Sequence, residues 1–178
     1  MRALIASTAL LCAAQSAWAT LVEYEVTNLG GDNYRYDYTI TNDSLGTSIE
    51  LFDIAFDTAL YDESSLLVAS SLDVNAEWDQ LVFASAPGSP ALYDAFTLSG
   101  GIPAGGTATG FAVEFLWLGG PGGPGAQSFQ VFDAVTFSLL DSGFTVLSGG
   151  TQVDAPSTLW LAAIGGLAVA GSRRRRAA

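Results

Sequence analysis

Apolar and polar residues alternate along most of the central part of the chain. The clearest alternating apolar positions are Tyr34, Tyr36, Tyr38 and Ile40 in one segment and Phe111, Val113, Phe115 and Trp117 in another. A period of two places successive side chains on opposite faces of a β-strand. No segment between residues 20 and 150 has a convincing 3.6-residue apolar period, so the pattern predicts an all-β domain over residues 20–150.

Segments rich in glycine and proline separate the predicted strands. Residues 21–28 are predicted to pair with residues 33–42 through the turn Gly30-Gly31-Asp32. Further strands are predicted at residues 48–57, 66–70, 78–85, 92–98, 129–140 and 144–147. About eight or nine short strands favour an antiparallel β-sandwich, of immunoglobulin-like or jelly-roll type, and a closed barrel is the alternative. The apolar residues switch from one face of the predicted strand to the other between Leu51 and Phe52, which predicts a β-bulge there.

The first nineteen residues have the layout of a secretory signal peptide. Met1-Arg2 is a short positive region, and residues 3–14 form an apolar stretch of the usual length. Ala17-Trp18-Ala19 is the small-x-small site that signal peptidase recognises. Signal peptidase is therefore expected to cut between Ala19 and Thr20.

Residues 151–178 combine three features in a fixed order. A polar segment precedes an apolar run from Leu159 to Gly171, and Arg173, Arg174, Arg175 and Arg176 follow. The run is shorter than the roughly 17 to 25 residues that span a bilayer comfortably, and arginines act as a cytoplasmic stop signal. The order predicts a short transmembrane helix over residues 158–172, which associates with the membrane transiently until a membrane enzyme cuts the chain. A permanent tail anchor is the alternative.

These C-terminal residues resemble the PEP-CTERM sorting domain of bacterial exosortase substrates, whose motif is roughly Val-Pro-Glu-Pro-Ser-Thr-Leu. Val153, Pro156, Ser157, Thr158 and Leu159 fall on that pattern, whereas Asp154 and Ala155 stand where the family has proline and glutamate. Residues 110–145 are more loosely similar to uncharacterised PEP-CTERM proteins of similar size.

The resemblance implies processing by an exosortase-type membrane enzyme. It also implies delivery through the inner membrane to the cell surface or extracellular matrix. There the family resemblance implies a structural or adhesive role in biofilm or exopolysaccharide, with extracellular polysaccharide as a partner.

Charge and composition exclude several functions. All eighteen acidic residues lie between Glu23 and Asp154, and the exported part contains Arg35 as its only basic residue before the terminal arginines. Such a domain repels nucleic acid, so no nucleic-acid partner is expected. The chain has no histidine or lysine, and its one cysteine, Cys12, lies in the predicted signal peptide. Catalysis by Ser-His-Asp or Cys-His sites, His-bound zinc and lysine Schiff bases are therefore excluded.

No motif singles out a catalytic pair of carboxylates, so the chain is not expected to be an enzyme. A carboxylate glycosidase is the third alternative, since such an enzyme needs only two acids across a cleft.

Calcium is the one cofactor that the sequence suggests. Four oxygen-bearing side chains, Asp73, Asn75, Glu77 and Asp79, alternate with apolar residues that include Trp78. They lie on one face if the segment is extended, and oxygen ligands suit Ca²⁺. The alternative is a solvated strand face opposite a core face. Asp53, Asp57, Asp62 and Glu63 form a second cluster that has the same alternative.

A group of tyrosines suggests a second candidate binding surface. Tyr24, Tyr34, Tyr36 and Tyr38 would form a platform for sugar rings if their face were exposed. Burial is favoured, because Arg35 and Asp37 occupy the opposite face. A calcium-dependent carbohydrate-binding sandwich is accordingly the main alternative function.

Overall fold

Ten strands account for about half of the residues in the computed structural model, which describes residues 20–43 and 45–149. The strands are β1 (Leu21–Gly30), β2 (Asn33–Thr41), β3 (Leu51–Phe56), β4 (Leu67–Val68), β5 (Trp78–Phe83), β6 (Ala91–Thr97), β7 (Thr107–Leu116), β8 (Ser128–Phe132), β9 (Leu139–Phe144) and β10 (Val146–Leu147). A short helix, α1 (Leu72–Glu77), and a 3-10 turn at Glu63–Ser65 lie between β3 and β5.

The strands form two five-stranded sheets. The first has the order β10-β1-β2-β7-β4, and the second has the order β5-β6-β3-β8-β9. The predicted all-β sandwich is therefore confirmed, and the described strands do not close into a single barrel. The first sheet is mixed rather than purely antiparallel, because β10 pairs in parallel with β1 at Glu23 and Tyr24.

The β1–β2 hairpin forms where the sequence predicts it. Gly30 and Gly31 both have positive φ, at 124° and 60°, a region that favours glycine. The Asn28 side chain accepts a hydrogen bond from Gly30 N at 2.8 Å and donates one to Gly31 O at 3.0 Å. The turn is thus closed by its own residues, which sets the register of the two strands that it joins.

The core lies between the sheets and is rich in aromatic side chains. Tyr36, Tyr38 and Ile40 of β2 are buried, as the alternation predicts, and they face buried side chains of β3 such as Phe52 and Phe56. Several ring pairs are in edge or stacked contact, including Tyr36 with Phe115 at 4.9 Å between centroids. The burial of large aromatic surfaces is the main stabilising contribution to such a core.

Two details of the predicted strands are wrong. Residues 129–140 do not form one strand, because the chain turns between β8 and β9 at Asp133, whose carboxylate accepts hydrogen bonds from Val135 N and Thr136 N. The bulge predicted at Leu51 is absent, since β3 pairs with β6 in unbroken register. Leu51 is buried for a different reason: it lies on the outer side of the sheet between Phe96 and Phe132.

The helical segments among the described residues are too short to cross a membrane. The predicted signal peptide, including Ala17 and Ala19, lies outside the described residues, as does the whole predicted sorting segment with its motif and arginines. Thr20, the predicted first residue after cleavage, is described and buried.

Candidate binding face

The two outer faces of the sandwich have opposite character. The outer face of the first sheet is largely polar, with Leu67 as an exposed apolar side chain on its edge strand β4. Arg35 forms ion pairs there with Asp37 at 2.8 Å and with Glu114 at 3.4 Å. Thr41 and Thr107 share a hydrogen bond on the same sheet. This face has the ordinary composition of a solvated strand surface.

The outer face of the second sheet carries large apolar side chains, and we call it the apolar face. Its outward-facing residues are Asp79, Leu81, Phe83, Leu92, Asp94, Phe96, Leu51, Asp53, Ala55, Ser128, Gln130, Phe132, Leu139, Ser142 and Phe144. Leu81, Phe83 and Phe144 are 48%, 49% and 57% exposed. Soluble domains rarely leave so many large apolar side chains together on one face, and such a patch marks an interaction site.

Two carboxyl groups occupy the centre of the apolar face. Asp53 of β3 lies directly opposite Asp94 of β6, and we call these two residues the carboxyl pair. Leu81 of β5 lies opposite Asp94 on its other side, and Gln130 of β8 lies opposite Asp53. Opposed residues in an antiparallel sheet have neighbouring side chains, so the carboxyl pair lies between an apolar and an amide side chain.

Apolar rows flank the carboxyl pair on both sides. In one direction along the strands, the neighbouring row contains Phe96, Leu51, Phe132 and Leu139, with Asp79 at its β5 end. In the other direction the row contains Phe83, Leu92 and Ala55, followed by Ser128 and Phe144. The carboxyl pair therefore lies between two largely apolar rows.

The carboxyl pair is partly buried, and this burial raises the pKa values of both carboxyl groups. Burial raises the pKa of Asp94 to about 7, and the hydrogen bond that protonated Asp94 donates to Asp53 and the negative charge of Asp53 act in the same direction. The negative charge of Asp79 on β5 also raises the pKa of Asp94. Burial raises the pKa of Asp53 as well. Asp53 Oδ1 is buried and meets no N–H or hydroxyl donor among the described residues. Because the pKa of Asp94 is raised to about 7, Asp94 is protonated below this pH and donates a hydrogen bond to Asp53.

A groove leads from the carboxyl pair to one end of the sandwich. A depression of about 410 Å³ is lined by Asp53, Leu92 and Phe144 among others. It shares Ser89 and Pro90 with a neighbouring depression of about 600 Å³ at the sandwich end. The two depressions together form a surface groove beside the carboxyl pair.

The turn between β8 and β9 extends the apolar surface at the edge of the face. Val135 and Phe137 at its tip are 84% and 67% exposed. The Asp133 carboxylate accepts hydrogen bonds from two backbone N–H groups and the Thr136 hydroxyl, which lower the pKa of Asp133. Phe137 has a φ of 55°, a conformation that non-glycine residues rarely adopt. This turn therefore presents apolar side chains from a constrained backbone.

The predicted calcium residues do not share a strand face. Asp73, Asn75 and Glu77 lie in α1, and Asp79 lies in β5. The extended segment assumed for them is wrong, because the Ser71 hydroxyl caps a helix by accepting a hydrogen bond from Val74 N. The Asn75 side chain is itself engaged with Ser70 O and with Gln80. No three acidic side chains of the described ranges approach each other as metal ligands would.

The second predicted acidic cluster is divided among local contacts. Asp57 accepts a hydrogen bond from Ala59 N, and Asp62 accepts from Ser64. Glu63 accepts from both the backbone N–H and the hydroxyl of Ser85. These three carboxylates therefore stabilise turns and a loop contact. Asp53 is the exception, since its neighbour is Asp94.

The tyrosines do not form an exposed platform. Tyr24, Tyr36 and Tyr38 are buried. The Tyr36 hydroxyl donates to Gly125 O, and the Tyr38 hydroxyl donates to Gln127 Oε1, both at 2.6 Å. Tyr34 is partly buried and stacks on Phe115. These tyrosines therefore lack the exposed face that stacking of sugar rings requires.

Sequence reasoning missed Asp94 and the outward apolar residues. The signal was present in residues 91–97, where Leu92, Asp94 and Phe96 alternate with buried residues, as they do in β6. A carboxylate between two large apolar side chains is unusual at the outward-facing positions of a strand. This pattern would have indicated the site on β6.

Comparison with known proteins leaves the chain without an assigned family. No family model and no curated protein matches it. A chain of a crystallised complex between a CaDoc0917 variant and CaCohA2, at pH 5.5, is similar, with a TM-score of 0.31 and 17% identity. That similarity covers 75% of this chain and 92% of the other. At this TM-score it supports no assignment.

Proposed function

We propose that this protein is an exported surface protein with an adhesive role, and that it binds a macromolecular partner through the apolar face. The single observation that carries the proposal is the contrast between the two outer faces. One is lined by an ion-pair network around Arg35, whereas the other exposes Leu81, Phe83 and Phe144 around a pair of acids. Covering that apolar surface would release water and stabilise a complex.

The route to the surface is part of the proposal and rests on the sequence. Signal peptidase would release the chain after Ala19, and an exosortase-type enzyme would process it near Pro156. The protein would act in biofilm or exopolysaccharide, as the PEP-CTERM resemblance implies.

The alternative functions have less support in the geometry. A calcium-dependent sugar-binding module would need exposed aromatic rings and grouped oxygen ligands, whereas Tyr36 and Tyr38 are buried and Asp73 lies in a helix. A glycosidase needs two carboxyls about 5 to 9.5 Å apart across a cleft. Asp53 and Asp94 instead share a hydrogen bond on the surface of a sheet.

Cell attachment tests the proposal. Bacteria displaying the full chain are compared with bacteria displaying Phe83→Ser/Phe144→Ser, for retention on extracellular matrix prepared from the producing organism. Truncating large apolar side chains that a partner covers typically weakens a complex by about 2 kcal/mol or more, so we expect retention to fall by about tenfold or more. Leu29→Ser removes an exposed apolar side chain from the first sheet and is the matched control. Equal retention of all three strains would contradict the proposal.

A further inference from the structure

We propose that the partner of the apolar face is a protein segment that places one lysine or arginine between apolar side chains, with the cationic group held by Asp53 and Asp94. This inference rests on the proposed function and specifies its partner. It combines three observations: the pair is central, it lies between two largely apolar rows, and the described part of the domain offers it no cation.

The described part of the domain places no basic side chain beside the carboxyl pair. Between residues 20 and 149 the chain has one basic residue, Arg35, and that side chain is paired with Asp37 and Glu114 on the opposite outer face. The groups that surround the pair are Asp79 and Leu81 from β5 and Gln130 from β8. A partner that covered the face with neutral groups alone would desolvate these carboxyls without compensation.

A cation from the partner removes that penalty. A guanidinium donates in a planar fork that fits two carboxylate oxygens, and an ammonium donates three hydrogen bonds as a compact charge. Either group would compensate the negative charge of Asp53 and Asp94 once a partner covers them. Binding would also release the proton of Asp94, because an adjacent positive charge favours the ionised carboxyl.

Strand geometry sets the spacing of the partner's side chains. Apolar residues lie two positions from Asp94 along β6 in both directions, at Leu92 and Phe96. Two residues along a strand span about 6.5 Å. A partner therefore needs apolar groups at about this distance on both sides of its cation. Positions i±2 of an extended segment, or i±3 and i±4 of a helix, meet this requirement.

A second copy of the chain fits the face poorly. Face-to-face pairing of two copies would bring two carboxyl pairs together without a cation. It would also bring together two domains that each have many acids and a single arginine between residues 20 and 149. The same excess of negative charge repels an anionic bilayer. A cationic and apolar protein segment is complementary to the face in both charge and polarity.

Selection from a peptide library tests the inference. A random dodecapeptide library displayed on phage is selected on the immobilised full chain at pH 7.5, with prior depletion on Phe83→Ser/Phe144→Ser. We expect the enriched peptides to share one lysine or arginine with apolar residues two to four positions away on both sides. Synthetic copies should bind Asp53→Asn/Asp94→Asn about tenfold or more weakly, whereas Glu25→Gln on the polar sheet should change the affinity less than about twofold. Replacing the peptide's basic residue by methionine should cause a similar loss on the parent chain and little further loss on Asp53→Asn/Asp94→Asn.

The outcomes separate this inference from the proposed function. Enriched peptides that are apolar without a basic residue, or that bind Asp53→Asn/Asp94→Asn as well as the parent, overturn the inference and leave binding by the apolar face intact. Self-association in sedimentation that Phe144→Ser abolishes, or binding to neutral vesicles that exceeds peptide binding, also overturns it. If no peptide distinguishes the parent from Phe83→Ser/Phe144→Ser, the proposed function loses its support as well. Thermal melts of every variant confirm that it is folded.

Discussion

Asp53 and Asp94 lie directly opposite each other on β3 and β6 at the centre of the apolar face, where protonated Asp94 donates a hydrogen bond to Asp53. Like charges directly opposite in a sheet are destabilising. The arrangement is therefore a cost to the folded domain at the pH where both groups are ionised. Residues that reduce stability in this way often serve a binding site.

The first prediction concerns pH. The pKa of Asp94 is raised in the folded state, so its stabilising contribution is fully present below the unfolded pKa, near 4, and is lost as the pH rises through about 7. We expect Asp94→Asn to be more stable than the parent by about 1–2 kcal/mol at pH 8, a value already reduced for solvent screening, and similar to it at pH 4.

Urea denaturation at pH 4, 6 and 8 measures this difference. Glu25→Gln removes one carboxylate from the first sheet and should show no such pH-dependent gain. A constant difference between Asp94→Asn and the parent across this range would argue against a raised pKa of Asp94.

The second prediction concerns a close backbone approach. A Cβ added at Gly101 would lie 2.1 Å from Ile49 O, and Gly101 also has a positive φ of 73°. We expect Gly101→Ala to destabilise the domain by about 3 kcal/mol or more, because the backbone pairing of Ile49 with Ile102 must shift. Gly88→Ala is the control, since Gly88 has a similar φ with open space around it, and it should cost about 1 kcal/mol. Equal losses in chemical denaturation would show that φ alone matters.

The third prediction concerns the turn between β8 and β9. Phe137 is exposed and has a φ of 55°, so its side chain strains the backbone without adding to the core. We expect Phe137→Gly to raise the free energy of unfolding by about 0.5–1 kcal/mol. Val135→Gly, at an exposed position in the same turn, should bring no gain. A lower midpoint for Phe137→Gly in thermal melts would mean that the Phe137 ring has contacts that stabilise the turn.

The fourth prediction concerns processing. The protein recovered from the cell surface should begin at Thr20 and lack Arg173 to Arg176, because the proposed route to the surface removes both the predicted signal peptide and the predicted sorting segment. N-terminal sequencing and intact-mass analysis measure the two ends separately. Retention of the four arginines on the surface form would favour the permanent tail anchor.

Local patterns were enough to predict most of the fold. The β1–β2 hairpin follows from alternation and from Gly30-Gly31, and the burial of Tyr36 and Tyr38 follows from the polar residues between them. Helix α1 was missed because its residues alternate in polarity like a strand, and the cap at Ser71 decides the conformation. Short segments of this kind are ambiguous by periodicity alone.

The candidate site depended on pairing that periodicity does not contain. Asp53 and Asp94 are distant in the sequence, and only the register of β3 against β6 makes them neighbours. The apolar face likewise arises from single outward residues of several strands, such as Leu81, Phe96 and Phe144. Each is ordinary in its own segment, since isolated exposed apolar residues are common.

Site-specific photo-cross-linking on living cells tests the central claim most directly. The chain between residues 20 and 149 has no cysteine, so Leu81→Cys and Thr39→Cys each provide one attachment point, on the apolar and the polar face respectively. Each variant is labelled with the same photoreactive group in the producing organism and irradiated. We predict one discrete cross-linked protein adduct from Leu81→Cys and none from Thr39→Cys. Adducts of equal yield from both positions, or none from either, would contradict binding through the apolar face.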